Sequence, residues 1–155
     1  MKVLKAPEEF TPWGCPVIFL AGGISNCPNW QEEATDFIQK NFGYKDFVLV
    51  NPRRDDFNMA DPSMSIAQIH WEHKMLELAD AVFFWFPKDT LCPITLYELG
   101  VYTNVKKDLI IGCDPEYKRR IDVIEQTSLR RPEITVQPCF DCFLSKIRNF
   151  INTNV

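Results

Sequence analysis

Five short apolar runs, each closed by a turn residue and separated from the next by a stretch of helical spacing, constrain this chain more than any other feature. Val17-Ile18-Phe19-Leu20-Ala21 ends at Gly22-Gly23, Phe47-Val48-Leu49-Val50 at Asn51-Pro52, and Ala81-Val82-Phe83-Phe84-Trp85-Phe86 at Pro87. Leu109-Ile110-Ile111 ends at Gly112, and Ile134-Thr135-Val136 before Pro138. Unbroken apolar runs of this length suit strands covered on both faces. The spacing between them predicts helices from Trp30 to about Lys40, Ser65 to about Ala79, Ile94 to about Val105, Arg119 to Leu129, and Cys139 to about Ile151. Alternating strands and helices imply a parallel sheet, because parallel neighbours need crossover connections. The expected fold is α/β, a flavodoxin-like three-layer sandwich with a five-stranded parallel sheet.

Residues 1–155 contain no linker-like Gly/Ser stretch, and one domain is expected over the whole chain. With 21 acidic and 17 basic side chains the net charge is -4, which argues against binding polymeric nucleic acid. No apolar stretch is long enough to cross a bilayer, and Lys5, Pro7, Glu8 and Glu9 interrupt the opening segment too early for a signal-peptide core. A cytoplasmic protein without a membrane partner is expected. The six cysteines then read as reduced thiols. Cys139-x-x-Cys142 lacks a second pair at zinc spacing and a nearby His, so no metal site is expected. Aromatic residues make up 13%, and most are assigned to the doubly covered core.

In open parallel sheets ligands bind outside the carboxyl ends of the strands, where the strand order reverses. That directs attention to residues 22–29, 51–64, 87–95 and 113–120. Gly22-Gly23 follows the first predicted strand, where small residues let backbone N–H groups approach a ligand or simply make a tight turn. It lacks the spacing of a dinucleotide fingerprint or a phosphate loop. The connection from Asn51 to Met64 is long for its place and carries Arg53, Arg54, Asp55 and Asp56, making it either a functional loop or a surface lid. Thr95-Leu96-Tyr97-Glu98-Leu99-Gly100 opens the helix after the third run; Glu98 there is either a solvated helix-start residue or a carboxylate nucleophile beside the cleft.

Read together, Phe19-Leu20-Ala21-Gly22-Gly23, Cys27-x-x-Trp30, Asn51-Pro52-Arg53-Arg54, Trp71-Glu72, Ala79-Asp80 and Pro93-Ile94-Thr95-x-x-Glu98-Leu99-Gly100 occur in one order. This arrangement resembles the nucleoside 2-deoxyribosyltransferase superfamily, and is most similar to its divergent deoxyribosyltransferase-like branch of bacteria and phages. The resemblance runs from about Val17 to Phe150. It implies that Glu98 attacks the anomeric carbon of a (deoxy)nucleoside, forming a covalent glycosyl-enzyme from which another nucleobase takes the sugar. Asp80 would protonate the departing base, as retaining glycosyl transfer requires. The resemblance further implies a substrate pocket of Gly22, Gly23, Trp30, Asn51 and Arg53, with Trp85 a second candidate for stacking on the base. Cys92 stands six residues before Glu98, where well-studied members carry a sugar-holding aspartate, and Asp89 is the candidate substitute. The implied partners are a nucleoside or nucleotide and a free nucleobase, with no cofactor and no metal, and a homo-oligomer is expected. Two alternatives stay open: an N-glycoside hydrolase of a nucleoside or its 5'-monophosphate, and a non-catalytic binder of a nucleotide-derived ligand.

His70 and His73 are three apart, not the four of a zinc protease, and read as packed or hydrogen-bonded. Glu72 is expected to orient a loop or pair with Arg53 or Arg54. Lys118-Arg119-Arg120 is either a solvated face or a phosphate contact that would favour nucleotides.

Overall fold

Every residue of Ala81–Phe86 is apolar, and the fold buries all six. The computed structural model describes residues 1–54, 56 and 61–155. Along the chain run β1 (Lys2–Lys5), β2 (Val17–Gly22), α1 (Trp30–Phe42), β3 (Val48–Asn51), α2 (Pro62–Leu78), β4 (Ala81–Phe86), α3 (Pro93–Tyr102), β5 (Asp108–Cys113), α4 (Arg120–Arg130) and α5 (Phe140–Asn154). The five strands form one parallel sheet in the order β1-β3-β2-β4-β5. This is the expected three-layer α/β arrangement.

Side-chain alternation divides the core into two halves. Phe19, Ala21, Val48, Val50, Val82, Phe84, Phe86 and Ile111 point to one face, where Trp71, Met75 and Leu76 of α2, Leu99 and Tyr102 of α3 and Val123 of α4 cover them. Ile18, Leu20, Leu49, Phe83, Trp85 and Ile110 point to the other, against Trp30, Ala34 and Ile38 of α1 and Phe143, Ile147 and Ile151 of α5. The chain leaves β2 towards β3 and leaves β4 towards β5. The crevice between diverging connections therefore lies above the carboxyl ends of β2 and β4.

Two strand assignments are corrected. Residues 134–136 form no strand; beside them a single bridge joins Gly112 to Gln137, with Gln137 N–H donating to Ile111 O at 2.7 Å and Cys113 N–H to Gln137 O at 3.0 Å. Pro132 and Pro138 flank this stretch and remove backbone donors, which limits pairing to one rung. The fifth strand is β1, whose sequence Lys-Val-Leu-Lys buries only Leu4 completely. Lysines at an edge strand suppress further pairing and also hide the strand's apolar signature.

The crevice floor depends on close backbone approach. A Cβ on Gly22 would lie 2.4 Å from Trp85 O and 2.5 Å from the Trp30 ring, whereas one on Gly100 would meet nothing within 4 Å. Gly22→Ala is expected to cost about 2 kcal/mol in urea unfolding through overpacking. Gly100→Ala, within α3, is expected to gain about 0.5–1 kcal/mol.

Candidate active site

α3 begins where β4 meets the loop after β2. Pro93 is its first residue, and Cys92 before it adopts a left-handed conformation with φ 46°. The Cys92 side chain is buried against Gly23, where an added Cβ would stand 2.9 Å from its sulfur. Burial pushes its thiol up to about 12, so it stays protonated at neutral pH. Thr95, Leu99 and Tyr102 form the buried stripe of α3. Glu98 flanks that stripe and turns towards α2.

Glu98 is half-buried, and its acidity is the most perturbed of the acidic side chains. Burial, with the charge of Glu72 adding to it, raises its pKa from 4.5 to about 8. Glu72 is itself held above the ordinary range by burial, opposed by the bond from Gln68. Gln68 Nε2 donates to Glu72 Oε1 and to Pro52 O, both at 2.8 Å, tying α2 to the end of β3. Its Oε1 is buried and has no partner among the described residues. Trp71 fixes the helix beside Glu72 by donating Nε1–H to Glu8 O at 2.8 Å. Two carboxylates are thus withdrawn from water on neighbouring helices. With its pKa at about 8, Glu98 keeps its proton at neutral pH, where an isolated glutamate is ionised.

Asn51, at the end of β3, is buried and accepts Arg53 N–H on Oδ1 at 3.0 Å, which turns the chain out of the strand. The Arg53 guanidinium donates to Pro28 O, Gln31 Oε1 and Cys27 O at 3.1, 3.2 and 3.3 Å. Trp30 Nε1 and Gln31 Nε2 both donate to Gly23 O, at 2.9 and 3.1 Å. The loop after β2 is therefore held from three sides. Asp89 is exposed in the loop after β4, and its charge acts on Cys27 across the crevice against that of Arg53.

Two expected placements come out differently. Asp80 lies before β4, at the opposite end of that strand from the loop leading to α3. Its Oδ2 accepts Val17 N–H at 2.8 Å while its own N–H donates to Val17 O at 2.8 Å, so it aligns the starts of β2 and β4. A cavity of about 510 Å³ opens at that lower end, lined in part by Asp80, Cys15 and Phe150. Trp30 and Trp85 are 3% and 5% exposed and sit in the core half under α1 and α5; Phe143 packs against both and Phe140 against Trp85. Neither ring has a face open to a base. The Lys118 to Arg120 cluster is largely the solvated face that the sequence allowed: Lys118 and Arg119 are exposed, Arg119 pairs with Asp122 at 3.0 Å, and Arg120 donates to Cys113 O. Arg54 pairs with Asp56 at 2.9 Å. Asp55 and residues 57–60 of the long connection lie outside the described residues.

The nucleoside 2-deoxyribosyltransferase-like family model matches residues 15–117. The chain belongs to this family. The matched segment of this deoxyribosyltransferase-like protein runs from just before β2 to just after β5 and contains both Glu72 and Glu98. No curated protein matches the sequence. No helix among the described residues is long and apolar enough to cross a membrane. Glu72 is the residue that sequence reasoning assigned elsewhere. Its position after the buried Trp71 was the available signal, but its partner lies on another helix.

Glu98 binds its proton more tightly folded than unfolded. The native state therefore holds the extra proton between about pH 4.5 and about 8 and loses stability as pH rises through that window. Glu98→Gln removes this ionisation. Its Tm advantage over the wild type is expected to grow from near zero at pH 4.5 to at least about 3 °C at pH 8.5 in calorimetry. Asp80→Ala is expected to cost about 1 kcal/mol in urea unfolding, the net worth of its bond to Val17.

Proposed function

We propose that this protein is a nucleoside 2-deoxyribosyltransferase that exchanges the base of a (deoxy)nucleoside through a covalent sugar ester on Glu98. The observation that carries the reading is the half-buried pair of Glu98 and Glu72 within the segment matched to the family. Retaining glycosyl transfer uses two carboxyl groups, one to attack and one to handle the proton. Glu98 and Glu72 provide the two.

In the first half-reaction the proton that Glu98 carries at rest passes to Glu72, and Glu98 attacks C1' as the carboxylate. The C1'–N bond breaks, the C1'–O bond to Glu98 forms, and Glu72 gives its proton to the departing base nitrogen. In the second half the incoming base attacks C1', returns a proton to Glu72 and releases Glu98. Glu72 thereby takes the role that the resemblance assigned to Asp80, whose carboxylate is occupied at Val17. Asp89 is retained as the candidate sugar contact from the exposed loop.

Nucleosides are favoured over 5'-monophosphates, because the arginines nearest the crevice are already bonded. Arg53 serves three acceptors, Arg54 pairs with Asp56, Arg119 with Asp122, and Arg120 bonds a backbone carbonyl. The homo-oligomer implied by the resemblance remains part of this reading, supported by Ile94, Tyr97 and Val101 exposed along one side of α3.

The test is incubation with a panel of deoxyribonucleosides, their monophosphates and free bases, followed by chromatography. Base exchange exceeding hydrolysis, with nucleosides preferred at least tenfold in kcat/KM, supports the reading. Free sugar released regardless of acceptor base selects a hydrolase, and tight binding without turnover a non-catalytic binder. Glu98→Ala is expected to abolish product. Glu72→Gln is expected to slow natural substrates by about 10² or more, with less loss on a 2-deoxyribosyl substrate whose leaving group needs no proton.

A further inference from the structure

Cys139 and Cys142 stand outside both the proposed chemistry and the family match, which ends at residue 117. Cys139 caps the N-terminus of α5, and its sulfur accepts the Cys142 N–H at 3.2 Å. The two sulfurs are 2.7 Å apart. Both residues are partly exposed. We propose that Cys139 and Cys142 are a redox-active dithiol that exchanges with small-molecule disulfides to form an intramolecular disulfide.

The frame around the pair is rigid on both sides. Two residues upstream, Gln137 is bonded to Ile111 and Cys113 of β5. Between the cysteines, Phe140 packs its ring on Trp85 at a centroid distance of 5.0 Å. Downstream, Phe143, Ile147 and Ile151 are fully buried. Closing a bond between sulfurs already in contact on so fixed a turn requires little further ordering of the chain. The remaining cysteines are worse placed. Burial pushes the Cys92 and Cys113 thiols up to about 12 and about 11, and it raises those of Cys15 and Cys27 as well.

The two sulfurs have distinct roles. Cys142 keeps its proton, because the hydrogen bond to Cys139 holds its thiol above the ordinary range. Cys139 accepts the Cys142 N–H at the positive end of the helix and is the attacking sulfur. Its thiolate attacks a disulfide RSSR, forming a Cys139–SR mixed disulfide and releasing one thiolate. Cys142 then loses its proton, and its sulfur displaces the second RS⁻ from Cys139. The dithiol is oxidised by two electrons, and RSSR is reduced to two RSH. A metal centre is the competing use of such a pair, but among the described residues no group of three or more His, Cys, Asp or Glu is arranged to hold one.

The test equilibrates the reduced full-length chain in glutathione buffers of graded potential, quenches in acid, alkylates with a maleimide and maps the peptides. Cys139 and Cys142 are expected to lose labelling together in one two-electron transition, ahead of the other four cysteines. Cys142→Ser is expected to trap one glutathione on Cys139, released by dithiothreitol. Cys139→Ser is expected to react at least about tenfold more slowly at Cys142. The proposal is overturned if the pair stays labelled while other cysteines oxidise, or if each collects a separate adduct. Stoichiometric zinc that blocks labelling until chelated would likewise overturn it, in favour of a metal site. The wild-type titration needs no variant to fold, and its result is independent of whether the protein transfers deoxyribose.

Discussion

The junction between β2 and β4 rests on a missing side chain. Because Gly22 carries no Cβ, the Trp85 carbonyl and the Trp30 ring both occupy space that any other residue would claim. Trp30 then packs against the loop and donates to Gly23 O, and Gln31 and Arg53 tie the same loop to α1 and to the end of β3. Gly23 is pressed in turn against Pro87, Thr90 and Cys92, so the start of α3 is located by the same contact. The position of Glu98 follows from a packing decision made at the strand ends.

Placing Glu98 against α2 carries an electrostatic cost, since neither carboxylate is well solvated and the charge of Glu72 disfavours ionisation of Glu98. The surroundings offset only part of it: Gln68 supports the charge on Glu72, and no comparable donor reaches Glu98 among the described residues. A fold selected for stability alone would put apolar residues here. The strain is concentrated at two carboxylates inside the segment matched to the family, and perturbed carboxylates cluster at functional sites.

The central strands were legible because each is apolar on both faces, and all five helices because their spacing and turn residues are regular. Two strand assignments failed for local reasons. Ile134-Thr135-Val136 has strand composition but is fenced by prolines, and Lys2–Lys5 has strand geometry with a sequence that conceals it. In the site, Glu98 was identifiable from its motif. Asp80 was misplaced because a motif fixes order along the chain and not which end of a strand a residue occupies. Trp30 reads from the motif as a base-stacking surface and Trp85 as a core residue that could be a second one, whereas bulky aromatics beside glycine fill the gaps that glycine leaves. The effect of Glu72 on Glu98 is not legible in the sequence, because the two lie 26 residues apart and only the tertiary packing brings them together.

The underside of Trp85 is covered by Phe140 and Phe143, and α5 seals that half of the sheet with Ile147 and Ile151. The matched family segment therefore lacks one wall of its own core. A chain cut at residue 117 would open Trp85, Phe83 and Ile110 to water, so the recognisable module and the unit that folds are not the same stretch of sequence. Variation in the C-terminal helix acts on the crevice from below, by setting how firmly the Trp85 backbone is held against Gly22.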